Sequence, residues 1–307
     1  MKSKLLVALL IAGGALTAQA QSLPSWASPE VSTAWGLGYK GQNTSIIVVD
    51  DFSSTNKFAG NWGNGVKTQQ HGYWTSSESA LIAPSASQYQ VDFNLAKYSN
   101  GFVLNRGFNV INASYSQSVT SQAGANTVAA YFNTYGGAYG LGPAGSITQY
   151  ANGQAFVAKS AGNGASTVLG VDKLEYKGTY DALNAALVGK SSAIYVGALS
   201  TNGTTANKAS MAYYSNTAGT NTTVQNQFLV VGVDTAKTGL AGTSFAAPIV
   251  AGYGAILNSK FQTATPTTIT NRLLQTARTD TLVNYNAQTY GRGEASLTRA
   301  LAATAIK

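Results

Sequence analysis

Short apolar runs, separated by turns of small residues, follow one another along most of this chain. Six of these runs have about the length of a β-strand, and several are apolar throughout rather than alternating with polar residues. Unbroken apolar strands are typical of a parallel sheet that helices cover on both faces. The pattern therefore predicts buried strands at residues 45–49, 88–93, 108–111, 154–157, 193–196 and 228–231.

Helical segments are predicted between and after these runs, at residues 123–134, 179–187, 244–261 and 268–276. The third begins with a small hydroxyl residue, Ser244, and consists mostly of Ala, Val, Ile and Gly. An element that is apolar all round belongs in the interior, so we expect a central, buried helix. Strands and helices together predict an α/β fold of three layers, in which helices cover both faces of a mainly parallel, twisted β-sheet.

The first twenty residues have the pattern of an export signal. Lys2 and Lys4 precede an apolar stretch at 5–11, and Ala18-Gln19-Ala20 has the small-x-small pattern that signal peptidase accepts. The apolar stretch is too short to span a bilayer. We therefore predict a signal peptide at 1–20, cleavage near Ala20, and a bacterial protein that is secreted or periplasmic.

The remaining residues, 21–307, contain no stretch that resembles a linker or a membrane span, and we predict one domain. The chain has no cysteine, which excludes disulfides and thiolate metal sites. The net charge is +8, and removal of Lys2 and Lys4 with the signal leaves +6 on a chain in which only 10% of residues are charged. Because no basic run or patch is present, we expect no nucleic-acid partner. We also expect no membrane partner and a monomer.

Three residue types for nucleophilic catalysis occur in informative places. His71 is the only histidine, although a histidine before glycine is by itself more typical of a turn or of the surface. Asp50 ends an apolar run, and the carboxyl ends of parallel strands are where open sheets carry their sites; an aspartate there also commonly caps a turn. Ser244 is predicted at a helix start, which favours negative charge but is also a common place for an ordinary N-cap.

The segment GTSFAAP at 242–248, together with His71-Gly72 and the strand-end Asp50, closely resembles the subtilisin-like serine peptidases, in which the chain order is Asp, His, Ser. Other segments resemble landmarks of the same family in the same order. They are IAPSAS at 82–87, VINAS at 110–114, SAGNG at 160–164, YVGA at 195–198, YSN at 214–216 and YGRG at 290–293.

The resemblance implies that residues 21–307 form a subtilisin-like peptidase domain acting on polypeptide substrates as a secreted serine endopeptidase. Its catalytic triad would be Asp50, His71 and Ser244, with Asp51 as the alternative to Asp50, and Asn163 would line the oxyanion hole. The implied substrate-binding residues are Asn112, Ala113, Ser114, Ser116, Ala161 and Gly162. By the same resemblance, Gly162 lies at the floor of the main specificity pocket, where an open floor would admit large apolar or aromatic side chains.

The chain also departs from the family pattern. Asp51 and Phe52 follow Asp50 where the family has Ser or Thr and Gly, Tyr73-Trp74 follows His71-Gly72, and Ser116 stands where glycine normally gives the substrate room. The calcium-binding loop of the family is not recognisable after His71. We therefore expect no cofactor and no strong metal site, while a weak calcium site remains open because calcium takes six to eight oxygen ligands.

No inhibitory propeptide is recognisable before residues 22–41, which resemble a mature start. Three alternatives stay open: the protein folds unaided, a separate propeptide-like chaperone or inhibitor is its partner, or the coding start is incomplete. Alternatives to the endopeptidase itself are a catalytically impaired, subtilase-fold pseudoenzyme that acts as a binding protein, an exported autotransporter-like passenger, and a general esterase or amidase.

Overall fold

The computed structural model describes residues 22–172 and 178–306, so the predicted signal peptide at 1–20 lies outside the described residues. The strands of the described part are β1 (Thr44–Asp50), β2 (Phe58–Gly60), β3 (Lys67–Gln69), β4 (Ser87–Asp92), β5 (Phe108–Ala113), β6 (Ser118–Val119), β7 (Phe156–Ser160), β8 (Tyr180–Asp181), β9 (Ala193–Leu199) and β10 (Phe228–Gly232).

The α-helices of the same part are α1 (Pro29–Gly36), α2 (His71–Ile82), α3 (Gln122–Tyr135), α4 (Gly142–Tyr150), α5 (Ala182–Leu187), α6 (Thr222–Asn226), α7 (Thr235–Thr238), α8 (Ala247–Lys260), α9 (Pro266–Gln275), α10 (Ala287–Tyr290) and α11 (Leu297–Leu301). Two short 3₁₀ turns, Ala96–Tyr98 and Thr243–Phe245, complete the regular structure of the described residues.

The six strands predicted from the apolar runs form one sheet in the order β10-β9-β7-β5-β1-β4, and each neighbouring pair is parallel. Alternate residues of each strand face opposite cores. In β1, Ile46 and Val48 pack with the apolar residues of α1, α2, α8, α9 and α11, whereas Ile47 and Val49 pack with those of α3, α4 and α5. The predicted three-layer α/β fold is therefore confirmed.

The third predicted helix is central, as expected, because nearly all of α8 is buried between α2 and the sheet. Gly252 permits this close packing, since a Cβ there would lie 2.4 Å from the side chain of Ile82. The helix begins later than predicted, however. Ser244 lies in the 3₁₀ turn, and α8 starts at Ala247 with Pro248 in its first turn, a position that suits a residue without an N–H.

The helix predicted at 179–187 also begins later. Tyr180–Asp181 pair antiparallel with Ser118–Val119, and α5 starts only at Ala182. The side chain of Asp181 accepts a hydrogen bond from the Leu183 N–H and so caps this helix. The other two predicted helices are present as α3 and α9, with ends within two residues of the prediction. No helix of residues 22–172 and 178–306 is long and apolar enough to cross a membrane.

Candidate active site

The carboxyl ends of three neighbouring strands meet at one edge of the sheet. β1 ends at Asp50, β5 at Ala113 and β7 at Ser160, and parallel pairing brings these ends to the same level. Because open α/β sheets carry their sites at such an edge, the predicted residues come together here, although they are far apart in the chain. α2 contributes His71, its first residue, to the same place.

Asp50 and His71 are in direct contact. The distance between Asp50 Oδ1 and His71 Nδ1 is 2.6 Å, and Asp50 is only 1% exposed. Thr75, one turn along α2, donates its hydroxyl to Asp50 Oδ2 at 2.9 Å, and the Asp51 N–H donates to Oδ1 at 2.7 Å. These bonds fix the carboxylate, which in turn fixes the orientation of the imidazole.

The carboxylate of Asp51, the alternative to Asp50, is engaged in a turn instead. Asp51 accepts hydrogen bonds from the backbone N–H groups of Ser53 and Ser54, from the Ser54 hydroxyl and from the Asn94 amide. Partial burial raises the pKa of Asp51, but these hydrogen bonds from Ser54, Ser53 and Asn94 outweigh it and hold the pKa below its ordinary value. The structure thus places Asp50, and not Asp51, against His71.

Ser244 lies at the end of β5. Its hydroxyl donates to the Ser114 carbonyl at 3.2 Å, and the Ser114 hydroxyl donates back to the Ser244 carbonyl at 2.9 Å. Asn112 donates its side-chain amide to the Ser114 hydroxyl at 3.1 Å. The next residue, Phe245, packs its ring 5.5 Å from the His71 ring, centroid to centroid. The turn that carries Ser244 is therefore held against both β5 and the histidine.

Asn163 is held by the residue that precedes Ser244. Its Oδ1 accepts from the Thr243 N–H at 2.8 Å and from the Thr243 hydroxyl at 2.9 Å, and the same hydroxyl accepts from the Gly162 N–H at 3.0 Å. Two donors on Oδ1 define which end of the amide is oxygen. Gly242 allows this approach, because a Cβ there would lie 3.3 Å from Asn163 Nδ2.

The predicted substrate-binding residues line both sides of this edge, with Asn112, Ala113 and Ser114 along β5 and Ala161 and Gly162 after β7. Ser116, Gly162 and Asn216 line a cavity of only about 10 Å³. The Asn216 amide lies against Gly162, where a Cβ would be 2.4 Å from its Nδ2. It is fixed there because it donates to the Ala161 carbonyl and accepts from two backbone N–H groups. Among the residues that the structure describes, this cavity is therefore small, whereas the resemblance predicted a roomy pocket.

A buried ion pair next to this cavity was not predicted. Lys159 in β7 is completely buried, and its Nζ lies 3.0 Å from Asp181 Oδ2 and donates to the Ser160 carbonyl at 2.7 Å. Asp181 Oδ1 accepts from the Gln117 N–H at 2.9 Å. We call residues 112–117, 160–163, Lys159 and Asp181 together the strand wall. A lysine inside an apolar run was the available signal, since a buried ammonium requires a partner.

The opposite side of the site is aromatic and also was not predicted. The strands β2 and β3 form an antiparallel hairpin. Trp62 in its loop packs against Trp26, Trp74 and Phe245 at ring-centroid distances of 4.9, 5.7 and 5.8 Å. We call residues 58–69, Trp26, Trp74 and Phe245 the hairpin wall. Its residues belong to no recognised motif, and Trp74 was named in the sequence only as part of the departure Tyr73-Trp74 from the family pattern.

Phe58 is the member of the hairpin wall nearest to the histidine. Its ring centroid lies 5.8 Å from that of His71, edge to face, and its side chain is 46% exposed. The Phe58 carbonyl accepts a hydrogen bond from Trp74 Nε1 at 2.8 Å. His71 is thus flanked by two aromatic rings, the buried ring of Phe245 and the half-exposed ring of Phe58.

Within 22–172 and 178–306, no group of three or more His, Cys, Asp or Glu side chains is placed to hold a metal ion. Calcium also accepts backbone carbonyl oxygens, so the prediction that no strong calcium site exists remains a prediction. Activity and melting temperature that do not change with a chelator would support it.

A parallel α/β sheet that brings an Asp–His pair and a serine turn to one edge has the residue set of a serine hydrolase. The family model described as the subtilase family matches residues 64–293. The chain therefore belongs to the subtilase family, whose members are serine peptidases. The match includes His71, Asn163 and Ser244 and begins after Asp50, so the position of Asp50 rests on the contact described above.

The solved structures that are similar to this chain include two proteases. One is titled as a crystal structure of a lanthipeptide protease, with 18% identity, a TM-score of 0.53, and coverage of 88% of this chain and 91% of that one. The other is titled as a cold adapted subtilisin-like serine proteinase, with 16% identity, a TM-score of 0.47, and coverage of 84% and 88%. The comparison with curated proteins gave no match. At these identities the first structure supports the fold alone.

Proposed function

We propose that this protein is an exported serine endopeptidase that hydrolyses peptide bonds through an acyl-enzyme intermediate. The observation that carries the proposal is the 2.6 Å contact between Asp50 Oδ1 and His71 Nδ1, at the sheet edge where the Ser244 turn is held against His71. Export rests on the signal-like pattern of residues 1–20. The preserved contact between Asp50 and His71 argues against the pseudoenzyme alternative.

In this mechanism, Ser244 Oγ attacks the carbonyl carbon of the scissile bond while His71 Nε2 accepts its proton. The bond to the leaving nitrogen then breaks, and His71 gives the proton to the departing amine. A water molecule, deprotonated by the same imidazole, hydrolyses the ester and regenerates Ser244. Asp50 holds the tautomer with the proton on Nδ1 and stabilises the imidazolium that forms in both steps.

The developing oxyanion needs donors that are fixed before the reaction. Asn163 meets this requirement because Thr243 occupies its Oδ1 with two hydrogen bonds, which directs Nδ2 to donate. With the Ser244 N–H as the second donor, we propose that this pair forms the oxyanion hole. Such preorganised donors lower the barrier because they need no reorientation when charge appears.

The substrate would bind as an extended strand along residues 114–116, which follow the paired strand β5, through backbone hydrogen bonds. The cavity of about 10 Å³ at Gly162 favours a small side chain on the residue whose carbonyl is attacked. This is the opposite of the large apolar preference that the resemblance predicted. It follows from the fixed Asn216 amide, which would have to break three hydrogen bonds to make room.

The experiment compares casein cleavage by the mature protein from Gln21 with cleavage by Ser244→Ala. Ser191→Ala is the matched control, because Ser191 is exposed and lies before β9, at the opposite edge of the sheet. Wild type and control should cleave casein and react with a fluorophosphonate probe, and Ser244→Ala should do neither. A folded wild-type protein that neither cleaves nor reacts would refute the proposal. Folding from denaturant without any added chain would show that no separate chaperone is needed.

A further inference from the structure

The two neighbours of Ser244 in the chain face opposite sides of the site. Thr243 binds Asn163 and Gly162, which belong to the strand wall. Phe245 packs its ring against Trp62 of the hairpin wall, 5.8 Å away. Ser244 therefore lies between a polar wall and an aromatic wall, and a substrate that crosses it must have one part on each side.

The proposed function decides which part lies where, and this inference rests on it. The acyl part of the substrate must lie on the strand wall, because the oxyanion donor Asn163 and residues 114–116, which continue the chain beyond the paired strand β5, are there. The leaving amine must then depart on the other side, within reach of His71, which gives it a proton. On that side the half-exposed ring next to His71 is Phe58.

The hairpin holds Phe58 in place before any substrate binds. The Asn61 N–H donates to the Thr238 carbonyl at 2.8 Å, and Gly60 packs so closely on Leu240 that a Cβ would lie 2.6 Å from its side chain. The Trp74 indole holds the backbone of Phe58 itself at 2.8 Å. Contact with a fixed ring costs little conformational entropy, so an exposed aromatic side chain in this position is suited to binding.

We propose that Phe58 determines specificity for the residue that follows the scissile bond, and that it favours an apolar or aromatic side chain there. The ring offers an apolar face beside the histidine, and aromatic contacts of this kind add to the gain from burial alone. A glycine at that substrate position would gain nothing from Phe58. The chain would thus combine a small residue before the bond with an apolar residue after it.

Acyl transfer to added amines measures this site directly, because it is the reverse of acylation. An ester substrate with a small acyl residue and a methanol leaving group forms the acyl-enzyme. The nitrogen of an added amine then bonds to the carbonyl carbon, the bond to Ser244 Oγ breaks, and His71 passes the amine proton to that oxygen. The probes are phenylalaninamide, leucinamide and glycinamide, and the readout is the ratio of amide product to hydrolysis product.

In the wild type, the ratio should be higher for phenylalaninamide and leucinamide than for glycinamide. Phe58→Ala should lower the phenylalaninamide ratio by about fivefold and leave the glycinamide ratio within about twofold. Phe58→Leu keeps an apolar side chain and should give an intermediate ratio, which tests the inference even if the alanine variant folds poorly. The control is Val103→Ala, an 83% exposed residue in the segment before β5 and outside both walls, whose ratios should equal those of the wild type.

Three outcomes would overturn the inference in distinguishable ways. If the wild type does not hydrolyse the ester at all, the proposed function fails and this inference fails with it. If the ester is hydrolysed and the ratios for the three amines are the same in Phe58→Ala as in the wild type, only the role of Phe58 is overturned. A change in preference among acyl groups, with amine preference unchanged, would likewise overturn it, because Phe58 would then act on the strand-wall side.

Discussion

The strand wall and the hairpin wall flank the same serine but are stabilised by different interactions. The strand wall is polar: a buried Lys159–Asp181 ion pair and the amides of Asn163 and Asn216 hold its backbone. The hairpin wall consists of aromatic rings, in which Trp62 packs on three neighbours.

The difference between the walls matches the part of the substrate that each wall is proposed to bind. A wall that binds a substrate backbone and an oxyanion needs donors and acceptors at fixed points, and only hydrogen-bonded networks fix them to within a few tenths of an ångström. A wall that takes a leaving-group side chain needs apolar surface of the right shape. The strand wall should therefore be sensitive to the loss of a single hydrogen-bonding or ionic partner. The hairpin wall should tolerate the exchange of one aromatic residue for another.

The largest expected effect is the loss of one partner of the buried ion pair. Asp181→Asn leaves the Lys159 ammonium buried without its carboxylate, and removing one partner of a buried pair costs about 3–5 kcal/mol of unfolding free energy. Urea unfolding at pH 7 measures it.

The matched variant for this test is Lys159→Met with Asp181→Asn, in which no buried charge is left. It should recover part of the stability that the single variant loses. Equal stability of wild type and Asp181→Asn would show that the ion pair does not stabilise the strand wall.

The next effect concerns the rate of the reaction. Asn163→Ala removes the side-chain donor to the oxyanion, and kcat should fall by about 10²–10³-fold, equivalent to about 2.7–4 kcal/mol, with little change in KM. Steady-state kinetics on a chromogenic peptide measures both constants.

Thr243→Val and Thr243→Ser separate donation by Asn163 from its orientation. The serine variant keeps the hydroxyl that binds Asn163 Oδ1 and should stay close to wild type, whereas the valine variant should lose part of kcat. A fall in KM and kcat together in Asn163→Ala would contradict a role confined to the transition state.

Much of the strand wall could be predicted from the sequence, because it depends on patterns between residues that are close in the chain. Short runs of strand length, several of them apolar without alternation, identified the six strands of the sheet, and parallel strands necessarily bring their carboxyl ends to one edge. Asp50 could therefore be placed there, whereas Asn112 was named only through the family resemblance. GTSFAAP added Ser244, although the presence of a 3₁₀ turn at Thr243–Phe245 before α8 depends on tertiary contacts with Asn163 and Ser114 that the motif alone does not encode.

The hairpin wall and the small cavity at Gly162 could not be predicted, because they arise from contacts between segments that are distant in the chain. Trp26, Trp62 and Trp74 are 36 and 12 residues apart along the chain, and each indole N–H bonds a carbonyl elsewhere in the cluster or hairpin. Likewise, the Asn216 amide reaches Gly162 from 54 positions along the chain. Periodicity reports only which residues are buried, and not which of them meet.

A smaller effect is expected at Glu78, on the helix that carries His71 between the two walls. Glu78 is 1% exposed, and burial raises its pKa well above 4.5. Native Glu78 therefore keeps its proton at pH values where the unfolded chain has lost it. Stability should fall as pH rises above about 4.5, by about 1.4 kcal/mol per pH unit, until Glu78 also ionises in the native state.

Glu78→Gln should remove this slope and be more stable than wild type at pH 7, as measured by urea unfolding at several pH values. Asp280→Asn is the contrasting variant, because the hydrogen bond and charge of Arg278, with Arg299, lower the pKa of this exposed carboxylate. Asp280 therefore loses its proton below the pH range of the Glu78 slope, and Asp280→Asn should leave that slope unchanged. An identical slope in wild type and Glu78→Gln would mean that Glu78 is already ionised in the folded protein.

The smallest expected effect tests the tolerance of the hairpin wall. Trp62→Phe keeps an aromatic ring but removes the indole N–H that donates to the Trp74 carbonyl at 3.2 Å, at a cost of about 0.5–1.5 kcal/mol. Trp35→Phe is the matched control, since Trp35 on α1 donates its indole N–H to the Ile82 carbonyl at 3.0 Å, outside the hairpin.

Both variants should lose similar stability in urea, but only Trp62→Phe should change the amine preference in acyl transfer, because only Trp62 packs against Trp74, which holds Phe58. If Trp62→Phe instead changed the preference for the acyl group, the two walls would not be independent, and the division of the site into a polar and an aromatic side would be wrong.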